Sequence, residues 1–322
     1  MMMRIWQGPL LRYIARRLGS LVVVLLGVTL LTYGLMYVSP SDPVELLLQA
    51  QGIPVSDDVV QALKQKAGLD RPFLVQYVSW LGNFCRGDMG ESLVDGQPVA
   101  EALQAALPRT LLLTLTSMIV TIVLSVPLGI LTAVRQNRFS DTFIRLVSFL
   151  SHAMPSFFVS LLLLYVVALK LHWLPVLAGG SAKGLILPTL ALAIPMTGKY
   201  IRQVRAAILE QLGQSYVDGA LSRGIRPGAI LVRDVLRNAL LTIITLLSLS
   251  AGSLLGGTAA VEMIFVWRGM GFLVMDAILK RDYPMIQAFV VWMAVIYVLI
   301  NLLVDLSYRL LDPRVRLSGE PN

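Results

Sequence analysis

Long uninterrupted runs of apolar residues constrain this chain more than any other feature. They lie at about 18–38, 110–134, 143–169, 240–265 and 286–306, with a further run from about 185 into the basic residues at 199–205. A run of about 18 or more apolar residues matches the hydrocarbon thickness of a bilayer. No water is available there to satisfy an open backbone, so each run is expected to be a helix. Only 14% of the 322 residues are charged, against roughly a quarter in a soluble domain. The expected class is therefore an all-α membrane protein of about six transmembrane helices. The net charge of +8 is read as arginine held in cytoplasmic loops, not as a nucleic-acid surface. Cys85 is the single cysteine and cannot form an internal disulfide, which leaves the compartment open.

Arginine placement sets the topology. Residues 1–17 hold Arg4, Arg12, Arg16 and Arg17 with no acid, and the 135–145 turn, the 199–237 stretch and the C-terminal tail are similarly basic. Both termini are thus expected in the cytoplasm. The first run is too long for a signal-peptide core and no small-x-small site comes after it, so it is read as a retained span. It ends at Ser39-Pro40-Ser41-Asp42-Pro43, where prolines remove donors and fix φ. The expected division is 1–43 for the N-terminus and first span and 44–108 for a small periplasmic helical region of mixed charge. Residues 109–316 form a five-helix core with a cytoplasmic loop at 210–238, and 317–322 a tail. Within 44–108, Ser56-Asp57-Asp58 opens a short helix. Phe73, Tyr77, Trp80 and Phe84 recur at helical spacing and suit a membrane–water boundary. Pro127, Pro155, Pro188 and Pro195 fall in or near spans, where neighbours must satisfy the freed carbonyls.

Residues 216–240, YVDGALSRGIRPGAILVRDVLRNAL, are polar and basic between two apolar runs. That is longer than a turn between spans requires. Two short helices with a break at 224–228 are expected, the first closed by Gly224 in a left-handed cap. Such a segment either lies on anionic lipid or presents a helix to a groove on a partner. The residues themselves leave both readings open.

Residues able to carry chemistry are scattered. No phosphate-binding glycine loop occurs, since Gly198-Lys199 is followed by Tyr200, so an ATPase would have to be another chain. No catalytic set is assigned. His152 and His172 lack a companion at ligand spacing, and no metal site is expected. His152, beside Ser148 and Ser151 and close to Pro155, either faces an aqueous path or packs with a backbone carbonyl as partner. Glu262 either lines the path as a gate or pairs with Arg268 or a partner chain. Asp305 is expected to pair with Arg309 or to snorkel. Gly252, Gly256 and Gly257, among Ser248, Ser250, Ala251 and Ser253, permit close helix approach, as a dimer seam or along a pore.

Asp218 to Gly224, DGALSRG, resembles the Glu-Ala-Ala-x-x-x-Gly loop of ABC importer permeases. Ala220 and Gly224 match, Asp218 keeps the acid, and Gly219 replaces alanine. The family's downstream Ile-x-Leu-Pro falls on Asp234-Val235-Leu236-Arg237, where only Leu236 agrees. LRNAL at 236–240 is instead similar to the dipeptide/oligopeptide/nickel branch. That branch is also resembled by AGLDRPFLVQYVSWL (67–81), RGDMGES (86–92), PVAEAL (98–103), VPLGILTAV (126–134), MPSFFVSLLLL (154–164) and LHWLP (171–175). GGTAAVEMIF (256–265), RDYPMIQA (281–288) and NLLVDLSYRLLDPRVR (301–316) continue it.

The resemblance implies a type I ABC importer permease in a bacterial inner membrane, with no enzymatic activity of its own. It further implies a heterodimer with a second permease, two ATPase subunits carrying ATP and Mg, and a solute-binding protein. Tyr216, Asp218, Gly219, Ala220, Arg223 and Gly224 would form the ATPase-coupling loop. The short connection at 176–185, with YIRQVRAAILEQL (200–212), looks more like nickel or metal-chelate members than like peptide permeases, which stay as the alternative. An intramembrane enzyme or stand-alone channel would need paired acids or a selectivity ring that the spans lack.

Overall fold

In the computed structural model, residues 2–38, 44–45, 48, 56–67 and 70–311 are described. Among them every regular element is a helix, apart from one isolated bridge between Glu91 and Pro98. The helices are α1 (Met2–Tyr37), α2 (Asp57–Ala67), α3 (Phe73–Cys85), α4 (Val99–Val134), α5 (Phe139–Ala153) and α6 (Ser156–Leu163), which continues in a π-helical turn over Leu164–Lys170. Next are α7 (Ala182–Leu212), α8 (Ser215–Ser222), and α9 (Pro227–Ile230), which joins α10 (Leu236–Phe265) through a π-helical Leu231–Val235. Finally come α11 (Met270–Lys280) and α12 (Tyr283–Leu311).

Among the described residues four helices are long and apolar enough to cross a membrane, and there are up to six spans if each of two bent pairs counts as one. The bent pairs correct the sequence reading in two places. The run at 143–169 is not one helix, because α5 and α6 meet at 100° across Met154 and Pro155. Both residues are extended, with ψ of 127° and 146°. Proline cannot donate into the ladder and pushes the residue before it out of the α region, so the chain turns there. The stretch between the apolar runs at 240–265 and 286–306, outside any expected span, is helical too. It holds α11, set at 80° to the end of α10. The second apolar run also begins earlier than expected, since α4 has 36 residues, or about 54 Å, well beyond a hydrocarbon core of about 30 Å.

The chain divides into two compact units, residues 1–108 with 273–299, and 109–272 with 300–322. In the first, α3 lays Phe73, Tyr77 and Trp80 against Tyr33 of α1 at centroid distances of 5.5–5.8 Å. Asp282, buried ahead of α12, accepts hydrogen bonds from the Ser92 hydroxyl and the Leu93 amide and so ties down the 86–98 loop.

In the second unit α7 is the central element. Of its apolar window 56% is buried, against 28% for that of α4. One cluster gathers Ala133, Tyr200, Val204, Ala207, Ile208, Val217, Ala220, Ile230 and Val235. A second gathers Leu113, Leu187, Ala191, Val261, Phe265 and Trp267. Small residues let these helices approach. A Cβ on Gly198 would collide with the Ser148 carbonyl oxygen, and one on Gly129 would stand 2.6 Å from the Val204 Cβ. Along α4, Thr110, Thr114, Ser117, Thr121 and Ser125 form a buried small-polar stripe. Three of these hydroxyls return to the carbonyl four residues back at 2.7–2.8 Å and that of Thr110 donates to Glu262, which satisfies them within the bundle. The Ser125 hydroxyl is buried without a partner among the described residues.

Replacing Gly198 by Ala is expected to destabilise the bundle by about 1–3 kcal/mol through overpacking against backbone. Gly82→Ala, where a Cβ meets nothing, is expected to be neutral or slightly stabilising. Thermal unfolding of the two purified variants checks the contrast.

Candidate functional site

The residues singled out at 216–224 form an exposed elbow with a buried root. α7 ends at Gly213, and Gln214 in extended conformation turns the chain into α8. Val217 and Ala220 point inward, 6% and 4% exposed, among Val204, Ala207, Ile208 and Ile230. Tyr216 is half-buried and donates its hydroxyl to Gln211 at 3.2 Å. Asp218 faces solvent, its carbonyl accepting from the Ser222 hydroxyl at 2.9 Å. A Cβ on Gly219 would meet nothing.

The helix closes as its sequence predicts. Gly224 has φ of +77°. Its amide donates to the Leu221 carbonyl at 2.8 Å, and that of Ile225 to the Ala220 carbonyl at 3.2 Å. This pair of bonds is a Schellman motif, and it needs the left-handed residue between them. All residues from 221 to 229 are exposed, including Arg223 and Arg226. Leu221 and Ile225 keep 45% and 40% of their surface. The elbow thus offers apolar and cationic groups on a rigid base.

The contact that holds that base is not visible in the sequence. Asp141, at the start of α5, is 0% exposed. It accepts from Arg205 of α7 in a bidentate pair, Nε at 3.0 Å and Nη2 at 3.1 Å. Arg145 Nε at 3.1 Å and the Asn137 amide at 3.0 Å complete the set. Arg205 is legible only as one of several basic residues at a span end. Asp141 looks like a lone acid in a basic turn. Only the antiparallel packing of α5 on α7 brings the two together, two turns from the Gly198–Ser148 approach.

Glu262 lies elsewhere in the unit and is fully enclosed, at 0% exposure. The Thr110 hydroxyl donates to Oε1 at 2.7 Å and the Phe272 amide to Oε2 at 3.0 Å. Thr110 in turn accepts from the Met270 amide at 2.8 Å. The carboxylate therefore organises the turn between α10 and α11 and in this conformation lines no surface. It does not pair with Arg268, whose carbonyl accepts from Arg109 at 3.1 Å and which is itself exposed. The turn requires such anchoring. Val266, β-branched, sits at φ of +52°, a strained conformation for that residue type. Trp267 fixes the next position with Nε1 on the Arg109 carbonyl at 3.0 Å. A Cβ at Gly269 would collide with Thr110 and Glu262.

His152 is exposed near the end of α5, two residues before the 100° bend, and Pro155 caps α6 at that bend and is exposed too. Among the described residues of this chain the histidine is not enclosed. Gly256 and Gly257 would carry a Cβ without touching anything among the described residues, and Gly252 is half-buried. The close approaches inside the unit fall instead on Gly129, Gly184, Gly198, Gly269 and Gly271, which the sequence does not mark. The side chains of Asp305, Arg309, Ser248, Ser250, Ala251 and Ser253 lie outside the described residues. Among the described residues no group of three or more His, Cys, Asp or Glu could hold a metal ion.

Asp141→Asn is expected to lower stability by about 3 kcal/mol, the low end for breaking a buried pair, because Arg205 keeps 18% exposure. Glu262→Gln replaces one accepting oxygen by an NH2 that faces groups donating to this side chain, and is expected to cost about 1–3 kcal/mol. Thermal unfolding of the purified variants measures both.

Comparison with known proteins bears on the whole chain. Residues 125–317 match the family described as binding-protein-dependent transport system inner membrane component, and 10–114 match that family's N-terminal component. The oligopeptide transport system permease protein AppB of Bacillus subtilis is 38% identical over 316 residues, covering 94% of this chain and 98% of the relative. The metal-staphylopine import system permease protein CntB of Staphylococcus aureus is 34% identical, covering 95% and 98%. The nickel import system permease protein NikB of the same species is 37% identical, covering 95% and 92%. The MetNI methionine ABC transporter, in an inward-facing structure, shares the fold with a TM-score of 0.57 at 16% identity, over 67% of this chain and 98% of that one. The apolar helices, the type I permease fold and these relatives agree. The chain belongs to the inner-membrane components of binding-protein-dependent transport systems: it is a multi-pass permease of ABC importers, a transport component that works with ATPase and substrate-binding partners and not an enzyme.

Proposed function

We propose that this chain forms half of the translocation path of an importer for nickel or a metal chelate, beside a second permease subunit, and that α8 docks on one of two ATPase subunits. The observation that carries the coupling role is the exposed elbow on its buried root. Its outward groups are free to enter a groove on a partner, while Val217 and Ala220 make the elbow move with α7. Tyr216, Asp218, Gly219, Ala220, Arg223 and Gly224 are the coupling residues in this reading. ATP and Mg sit on the ATPase subunits, and nucleotide binding there biases the permease between outward and inward access. Both termini lie in the cytoplasm, with 44–108 on the opposite side, as the arginine distribution favours. His152 and Pro155, at the α5–α6 bend, are candidates for the path. Gly252, Gly256 and Gly257 are candidates for the seam with the second permease, since a Cβ on either of the last two would enter open space.

Identity alone does not choose the substrate, because relatives named for oligopeptide, metal-staphylopine and nickel transport match at 34–38%. The feature that favours a metal is the short connection at 176–185. It is folded tightly by Gly179 and Gly180 at positive φ and by the Ala178 amide on the Phe265 carbonyl at 3.0 Å. A chelated metal arrives with its coordination sphere filled, so recognition falls on the chelator. A peptide is the second reading, favoured by the match to AppB.

Two measurements test these readings. In the importer purified through this chain, Gly224→Trp is expected to abolish ATP-driven uptake while the subunits still co-purify. A non-glycine residue there costs about 1–2 kcal/mol in the left-handed region and disrupts the elbow. Uptake that survives the change would refute docking through α8. Proteoliposomes with the cognate binding protein should accumulate nickel or its chelate. Accumulation of a dipeptide without metal would overturn the substrate reading and leave the coupling role standing.

A further inference from the structure

Helix α3 carries two adjacent apolar stripes, and only one has a partner among the described residues. Phe73, Tyr77, Trp80 and Phe84, spaced i, i+4, i+7, i+11, form the first. Tyr33 of α1 meets three of these rings, and Tyr37 meets Phe73 at 5.1 Å. Polar groups fasten the same face. Tyr77 and Thr29 share a hydrogen bond at 2.9 Å, and the Tyr33 hydroxyl donates to the buried Gln76 side chain at 3.2 Å. The second stripe is aliphatic and turned outward, with Leu74, Val75 and Val78 exposed at 66%, 47% and 64%.

The depth of this stripe is set by its anchor. The α1 span Gly19–Tyr37 has 19 residues, about 28 Å at 1.5 Å per residue, which is close to the whole hydrocarbon core. Thr29 lies eight residues before the end of that helix, about 12 Å inward along its axis. Tyr77 is bonded to Thr29, so the turn of α3 that carries Leu74 to Val78 sits at acyl-chain depth, not above the membrane. Arg71 just before α3 and Arg86 at its end are both exposed, placed as basic groups that frame an apolar helix against phosphate headgroups. The span beside it has the same outward character, with Leu31 and Leu35 exposed at 68% and 75%.

We propose that α3 is immersed in the membrane boundary, packed on the first span by its aromatic face and contacting lipid acyl chains through Leu74, Val75 and Val78. The partner of the aliphatic stripe is the bilayer itself. It is continuous with the lipid-facing flank of α1, carries no polar group that would specify a protein, and is bracketed by cations. The region between the first two spans is therefore no free-standing extramembrane lobe. It is held to the membrane by this helix.

Single-site fluorescence quenching tests this. In the complete importer, in nanodiscs and with cysteine-free partner subunits, Cys85→Ser removes the only thiol of this chain. A bimane label is then placed at Val78→Cys, at Leu74→Cys, and at Ser79→Cys on the exposed polar flank, each in a complex that retains uptake. Labels at 74 and 78 should be quenched several-fold more by lipids bearing a nitroxide high on the acyl chain than by aqueous iodide, and the label at 79 in the opposite order. Strong iodide quenching at 74 and 78 would place the stripe in water and overturn the proposal. Protection from both quenchers would show a protein partner on it and overturn it equally.

Discussion

Much of the permease unit depends on one constraint, the closeness with which α7 approaches its neighbours. A helix in lipid gains nothing from being apolar, since the tails around it are apolar too. It is held by van der Waals fit and by the few polar contacts it can complete. Gly198 against the Ser148 carbonyl and Gly129 against Val204 supply the fit. The Asp141–Arg205 pair supplies the polar contact at the end where α7 leaves the bundle. Together they make α5 and the lower half of α7 a single stiff piece. The segment C-terminal to α7 inherits that stiffness.

The elbow formed by α8 to α10 illustrates what the stiffness allows. A short exposed helix on a flexible tether would absorb a push from a partner by bending. Here α8 is rooted in the same cluster that holds Val204 and Ile208. Displacement at its surface must therefore move α7 or be resisted by it. The other end of α5 is the 100° bend at Pro155.

Much of this is legible in the residues. The apolar runs imply the helical class because a bilayer admits few alternatives. Gly224 implies the left-handed cap because a polar helix ending in that glycine has few other ways to close. The same logic fails where long-range contact decides. Pro155 reads as a loosened span, yet the break exceeds a kink because two extended residues lie in sequence there. Glu262 is legible as a lone acid in a span, but what surrounds it is not. Its partners, Thr110 and the Phe272 amide, come from another helix and from beyond a turn, and no local pattern announces them. Asp141 gives no signal for the same reason. The glycines that matter for packing inside the unit are not those that cluster in sequence, because helix proximity is not set by local density of small residues.

The rooting of α8 also separates two kinds of variation. Inward positions such as Val217 and Ala220 answer to this chain's own packing, and a change there is felt by α7 whatever else is bound. Outward positions such as Asp218, Leu221 and Arg223 touch little of their own chain and answer only to what they meet. The outer face is thus free to drift in step with a cognate surface while the inner face stays fixed. A lineage of such subunits can change companions without redesigning its fold.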